Sequence, residues 1–450
     1  MSPLRRAAGL LAATALVSAA CATGGGSGTA TPAGPSAAPT ASEGASATAS
    51  AAPSAAAVEI DWYHIQNNDP GKALWQELAD EYTAEHPNVT INLNVNENEA
   101  FKTKLATLVQ SNTPPDLFQS WGGGGLREQV EAGLVQDITA GVADWQDTIN
   151  PGAMGMYQVD GKQYGIPFDL GLVGFWYNTD QFEDAGITEP PATWADLLTA
   201  VQALKDAGLT PMALAGGDTW TGAFYWAYLA VRECGQEGMD NAVVTGDWSD
   251  PCFVKAGEDF VELIETEPFQ EGFLAAKWDG AGSGAASMAT GNGAMQLMGQ
   301  WLPGTVAANS DDPENPPEWL GWFPFPSVDG GAGAATDGLG GGNGFAVGRD
   351  APPETIDFLR FLVSEDAANR WGALNTGILP TTVGTEGSVT DPQLVDVLAG
   401  RAEAEFVQLY LDQATTPDLG AAINEAVATL YAGTGTPESV AAAINEFAQQ

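Results

Sequence analysis

Along residues 58–134 the spacing of apolar positions alternates between two periods. Residues 58–66 (VEIDWYHIQ) read as a strand that ends in polar groups. Residues 69–87 read as a helix: Leu74, Trp75, Leu78 and Tyr82 recur at three-to-four spacing, Pro70 suits a first turn and Pro87 a stop. Strict alternation of Val89, Ile91, Leu93 and Val95 predicts a half-buried strand over 89–95. Helical spacing returns over 97–112, with Phe101, Leu105, Leu108 and Val109 on one face. A short strand is expected in 114–121 (PPDLFQSW). Four glycines, 122–125, follow it before LREQVEAGL resumes a helix.

Strand and helix in this alternation imply a parallel sheet with helices on its faces, and such sheets hold ligands beyond the carboxyl ends of their strands. Those ends are HIQNN (64–68), NENE (96–99) and SWGGGG (120–125), which together make a polar, aromatic and glycine-rich rim. Further along, 161–187 mixes strand-like and turn-like pieces, and 193–208 is a helix with Thr193 at its cap and a closing glycine. A glycine-rich passage occupies 323–347, and the final third is mainly helical.

Composition narrows the class. With 58 acidic and 15 basic side chains the formal net charge is −43, which repels nucleic acid and anionic lipid surfaces. Arg5 and Arg6, the apolar run 7–17 and small residues up to Cys21 form a secretory signal, 1–21. Cys21 stands where a bacterial lipobox cysteine is lipidated, although Ser18 replaces the usual leucine; ordinary secretion without a lipid is the alternative. Residues 22–57 are nearly all Ala, Gly, Ser, Pro and Thr and are expected to be a disordered tether. The remaining cysteines, Cys234 and Cys252, are expected to pair in an exported chain, two separate buried thiols being the alternative.

Catalytic motifs are missing: there is no phosphate loop, dinucleotide fingerprint, nucleophile elbow or zinc-binding H-E-x-x-H, and no cofactor is expected. Of the two histidines, His64 ends a strand and His86 is expected to be solvated. A hydrolase would need a carboxylate pair, and Asp169 with Glu97 or Glu99 are the candidates, each against a simple surface role. The aromatics are more informative. Trp121, Trp220, Trp278 and Trp301 lie among polar or glycine residues instead of in apolar stripes. Core packing explains any one of them. Four together suit stacking on sugar rings beside amides and carboxylates that bind hydroxyls.

The segments KLATLVQSNTPPDLFQSWGGGGLREQVEAGLVQDIT, GKQYGIPFD, FWYNTDQFEDAGITEPPATWADLL, ATGNGAMQLMGQW and TIDFLRFLVSEDAANRWGALNTGILP occur in this order. Together they resemble the extracellular solute-binding proteins of carbohydrate ABC importers, the family that includes maltose-binding protein. Within it, the match is closest to actinobacterial lipoproteins that bind xylobiose or similar oligosaccharides. The resemblance implies an α/β, two-lobed periplasmic-binding-protein fold with a hinge and a ligand cleft. It places lobe 1 at 58–168 plus 328–378, and lobe 2 at 169–327 plus 379–450. His64, Gln66, Asn98 and Trp121 would line the first wall, with Gly342 and Asn343 approaching from the returning segment. Trp220, Trp278 and Trp301 would face them, Tyr410 and Asp412 would complete the site, and Asp169 would bind a hydroxyl at the crossing. Glycines 122–125 would keep Cβ atoms clear of the ligand, and Tyr177 and Asn178 would be structural. The implied protein is a monomeric, lipid-anchored receptor on the extracellular face of the cell membrane. It would pass a short oligosaccharide, xylobiose favoured, to permease subunits without catalysis. The rival expectations are a secreted glycoside hydrolase and the same fold holding a non-sugar solute.

Overall fold

The computed structural model describes residues 56–313 and 317–450, so the signal segment, Cys21 and the tether up to residue 55 lie outside the described residues. The opening alternation folds as β1 (Val58–His64), α1 (Gly71–Glu85), β2 (Val89–Val95), α2 (Asn98–Gln110), β3 (Leu117–Ser120) and α3 (Gly123–Glu131). β1 pairs in parallel with β2 on one side and β3 on the other. Gly344–Val347 then adds antiparallel to β3, and Gly165–Pro167 pairs antiparallel to that, completing a five-stranded sheet.

Period-two burial sets what this sheet packs on. Ile60, Trp62 and His64 share one face of β1 and are all buried. Trp62 meets Trp75 of α1 edge-on at 5.1 Å between ring centres, and Phe345 and Phe358 close around it at 5.4 and 5.2 Å. Deleting a fully buried ring such as Trp62 costs about 3–5 kcal/mol. His86, expected in solvent, is instead half-buried: its ring stacks on Tyr82 at 4.1 Å, because the helix end turns it back one turn.

A second core surrounds an antiparallel sheet ordered Leu320–Phe323, Gly174–Asn178, Met295–Met298 and the long helix Thr219–Thr245. Tyr225 stacks flat on Phe260 within it, ring centres 5.2 Å apart. The long helix kinks at Gly235, whose φ of 63° lies in the left-handed region. Next to the kink, Cys234 and Cys252 form a disulfide with Cα atoms 5.2 Å apart, tying that helix to the start of Pro251–Glu265. Asn178 caps Thr179–Asp184 by accepting from Gln181 N–H, and Tyr177 packs on Phe182. The glycine-rich passage is shaped by Arg232: its buried guanidinium donates to the carbonyls of Phe325, Pro326, Ala334, Ala335 and Asp337.

The chain crosses between the two cores three times. Phe168 belongs to the first and Leu172 to the second, Leu339 to the second and Phe345 to the first, Ile378 to the first and Leu379 to the second. A small sheet of Val407–Leu409, Gly338–Gly341 and Gly171–Leu172 lies at these crossings. Segment 328–341 was expected with lobe 1. Its apolar residues pack on the second core instead, because Gly338–Gly341 pairs with strands of that side.

Candidate ligand-binding cleft

Between the two cores lies a cleft enclosing about 1180 Å³ of unfilled space, counted to its open mouth. The parallel strands of the first sheet aim their carboxyl ends into it. The turn after β1 brings Gln66, Asn67, Asn68 and Asp69; the turn after β2 brings Glu97 and Asn98; the residue after β3 is Trp121. Trp121 is half-buried, its edge resting on Phe101 with ring centres 5.9 Å apart. From α2, Lys102 Nζ lies 3.1 Å from Glu99 Oε1, 5.7 Å from the centre of the Trp121 ring and 6.0 Å from that of Trp220 on the opposite wall.

The opposite wall is a strip of aromatic rings. Trp220 opens the long helix and touches Phe224 one turn on, at 5.3 Å. Trp278 stands 6.1 Å from Trp220 with the planes 56° apart, Trp301 stands 6.4 Å away at 54°, and Tyr410 follows 6.0 Å from Trp301. Asp218, just before the helix, fixes the spacing. Its carboxylate accepts from Trp278 N–H at 2.9 Å and from Lys277 Nζ at 2.7 Å, so the loop carrying Trp278 is held against Trp220. The Nε1 atoms of Trp220 and Trp278 and the Tyr410 hydroxyl are buried with no partner. Burial raises the Tyr410 phenol well above its ordinary range, so it remains a donor. Asn68 Nδ2 donates to Asp279 Oδ2 at 3.2 Å, a hydrogen bond that spans the walls.

Gly342 and Asn343 enter at the floor. A Cβ on Gly342 would stand 1.9 Å from the Asp169 carbonyl oxygen, so only glycine allows the two crossing strands to pass. The Asp169 carboxylate accepts from Asn343 N–H, from Asn343 Nδ2 at 3.0 and 3.1 Å, and from Gln300 Nε2 at 3.3 Å. Gln119 Nε2 donates to Asn343 Oδ1 at 2.6 Å, which extends the chain of bonds to β3. Burial raises the Asp169 pKa to about 7 against the lowering effect of these donors.

Two expected contact residues are therefore set back from the cleft. Asp169 is 1% exposed and its acceptors are filled by the hinge. His64 is fully buried against Trp62 because it shares that residue's strand face. Its Nδ1 accepts from Gln66 N–H at 3.2 Å, and burial lowers its pKa to about 3, so the ring is neutral and shapes the Gln66 turn. Gln66, Asn98, Trp121, Trp220, Trp278, Trp301, Gly342, Asn343, Tyr410 and Asp412 all line the space. The glycine run does something other than expected. A Cβ on Gly122 would meet the Met156 carbonyl oxygen at 2.3 Å and one on Gly124 the Thr415 carbonyl oxygen at 1.9 Å, so these residues admit neighbouring backbone and not a ligand.

Residues 65–369 match the family model described as bacterial extracellular solute-binding protein. The chain belongs to this family. Among curated relatives of this solute-binding protein, the lactose-binding protein of Rhizobium radiobacter is 27% identical over 65% of the chain and 68% of its own length. The multiple sugar-binding protein of Streptococcus mutans is 29% identical over 55% of each. A solved structure from work on xylan utilization by the thermophilic bacterium Caldanaerobius polysaccharolyticus superposes with a TM-score of 0.79 at 26% identity, covering 86% of this chain and 99% of that one. Maltose-bound MalE3 of T. maritima has a TM-score of 0.72 at 18% identity over 87% and 99%, which shows the shared two-lobed fold. The solute-binding protein thus has its family's architecture, with the described cleft where the two lobes meet.

Asn67 and Asn68 belong to the rim segment HIQNN (64–68) and Asp279 adjoins Trp278, so their neighbours signal their places in the cleft. Lys102 has no such signal, since on α2 it reads as an ordinary exposed helix position.

Proposed function

We propose that this protein is an extracellular receptor that closes on a short oligosaccharide and hands it to the permease of an ABC importer. The observation that carries this is the aromatic strip Trp278–Trp220–Trp301–Tyr410 facing amides Gln66, Asn67, Asn68 and Asn98. Apolar sugar faces stack on rings, and amides bind paired hydroxyls. The sugar names of the relatives support the same ligand class. Xylobiose or a similar xylo-oligosaccharide is our favoured ligand: rings mutually tilted by 54–56° suit a glycan whose successive units rotate, as xylan's do, better than a flat ribbon.

In this reading the ligand favours the closed state because only there does it touch both walls. We place lobe 1 at 58–168 plus 342–378 and lobe 2 at 169–341 plus 379–450, following the packing of the two cores. Lipid on Cys21 would hold the receptor, as a monomer, at the membrane's outer face. Calorimetry against xylo-, cello-, malto- and chito-oligosaccharides tests the proposal, with chromatography of the recovered sugar. Stoichiometric binding of intact ligand is expected; a silent panel, or release of shorter products, would overturn it. Loss of membrane retention in Cys21→Ala tests the anchor.

A further inference from the structure

The cleft has an unequal supply of charge. Asp69, Glu97, Asp279 and Asp412 line it, and Lys102 is the one cationic side chain among its described lining residues. That ammonium is already engaged by Glu99 at 3.1 Å and folded toward two indoles. The nearby Lys277 is held by the buried Asp218. The lining also presents a donor that a sugar hydroxyl oxygen can satisfy: Tyr410 is 6% exposed and its hydroxyl is unpartnered. A carboxylate or sulfate brought into this space would lose water, meet no free cation and face several like charges.

We infer that the cleft selects oligosaccharides without acidic groups, and that the carboxylates of Glu97 and Asp412 enforce the exclusion. The inference rests on the sugar-receptor reading. It adds a rule of ligand charge to it, and predicts that amine-bearing sugars are accepted as well as neutral ones.

The test uses the whole secreted chain in calorimetry. Neutral xylo-, cello-, malto- and chitotriose are each titrated beside their own aldonic acid and that acid's methyl ester. Acid and ester differ in charge at nearly constant size and shape. For the trisaccharide that binds, the ester is expected to bind at least about tenfold more tightly than the acid at low salt, with the gap narrowing as salt is raised. The double variant Glu97→Gln, Asp412→Asn is expected to narrow the gap in the same way. Equal binding of acid and ester would overturn the inference while leaving the sugar reading intact. So would failure of both when the neutral parent binds, which would make the exclusion one of shape. Silence from every neutral sugar would remove the receptor reading and this inference with it.

Discussion

The two walls of the cleft are built by different means. The first is a set of strand ends: short polar turns after β1, β2 and β3, supported from behind by Trp62, Trp75 and a neutral His64. The second is a strip of large rings on a helix start and two loops, braced by Asp218 and by each other. Turns can be re-aimed by small changes in the sheet, whereas a strip of mutually packed indoles moves as a unit. On the proposed function, affinity would come chiefly from the second wall and orientation chiefly from the first.

The largest effect should come from acid acting on His64 behind the first wall. His64 in the fold has its pKa lowered to about 3 from an ordinary 6.5, so its contribution is fully present above pH 6.5 and drains away as pH falls from there toward 3. Thermal unfolding between pH 7 and 4 should show about 3 kcal/mol of lost stability from this group. His64→Phe should flatten that part of the profile; an unchanged acid slope would break the contrast. Next, Trp220→Ala or Trp301→Ala should each weaken sugar binding by about 3 kcal/mol, near a hundredfold, in calorimetry. Trp121→Ala, the single large ring on the first wall, should lose about 2 kcal/mol of binding with little change in melting temperature.

The third effect probes the floor shared by both walls. Asp169→Asn turns one acceptor into a donor facing Asn343 and Gln300, and should cost about 1.5 kcal/mol of stability. Adding Asn343→Asp restores the complement of donors and acceptors, so the double variant should recover most of that loss in chemical denaturation. The smallest effect is on the amides: Asn98→Ala or Gln66→Ala should reduce binding by about 1 kcal/mol each. If the amides outweighed the indoles, the division of labour between the walls would be reversed.

The first sheet was readable because its information is local. The alternation of Val89 to Val95 is the observed strand β2 residue for residue, and the helical spacing before it is α1 shortened by two residues at each end. Most cleft residues could be found for the same reason, as polar or aromatic residues at strand ends. His64 was misjudged although the signal was present: counting by two from Ile60 and Trp62 puts it on the buried face. Asp169 and the glycine run were misjudged for lack of any local signal. What occupies the Asp169 carboxylate is Asn343, and what presses on Gly124 is Thr415, both far along the chain. The same distance hid the role of Asp279, whose partner Asn68 lies on the other wall.

The aromatic strip also has an optical consequence. Trp278 and Trp301 lie 6.1 and 6.4 Å from Trp220, close enough for its excited state to couple to theirs. Coupled indoles give a paired signal in near-ultraviolet circular dichroism, and a ligand lying on them changes both that signal and their emission. On the proposed function, the protein would carry its own unlabelled reporter of occupancy within the cleft.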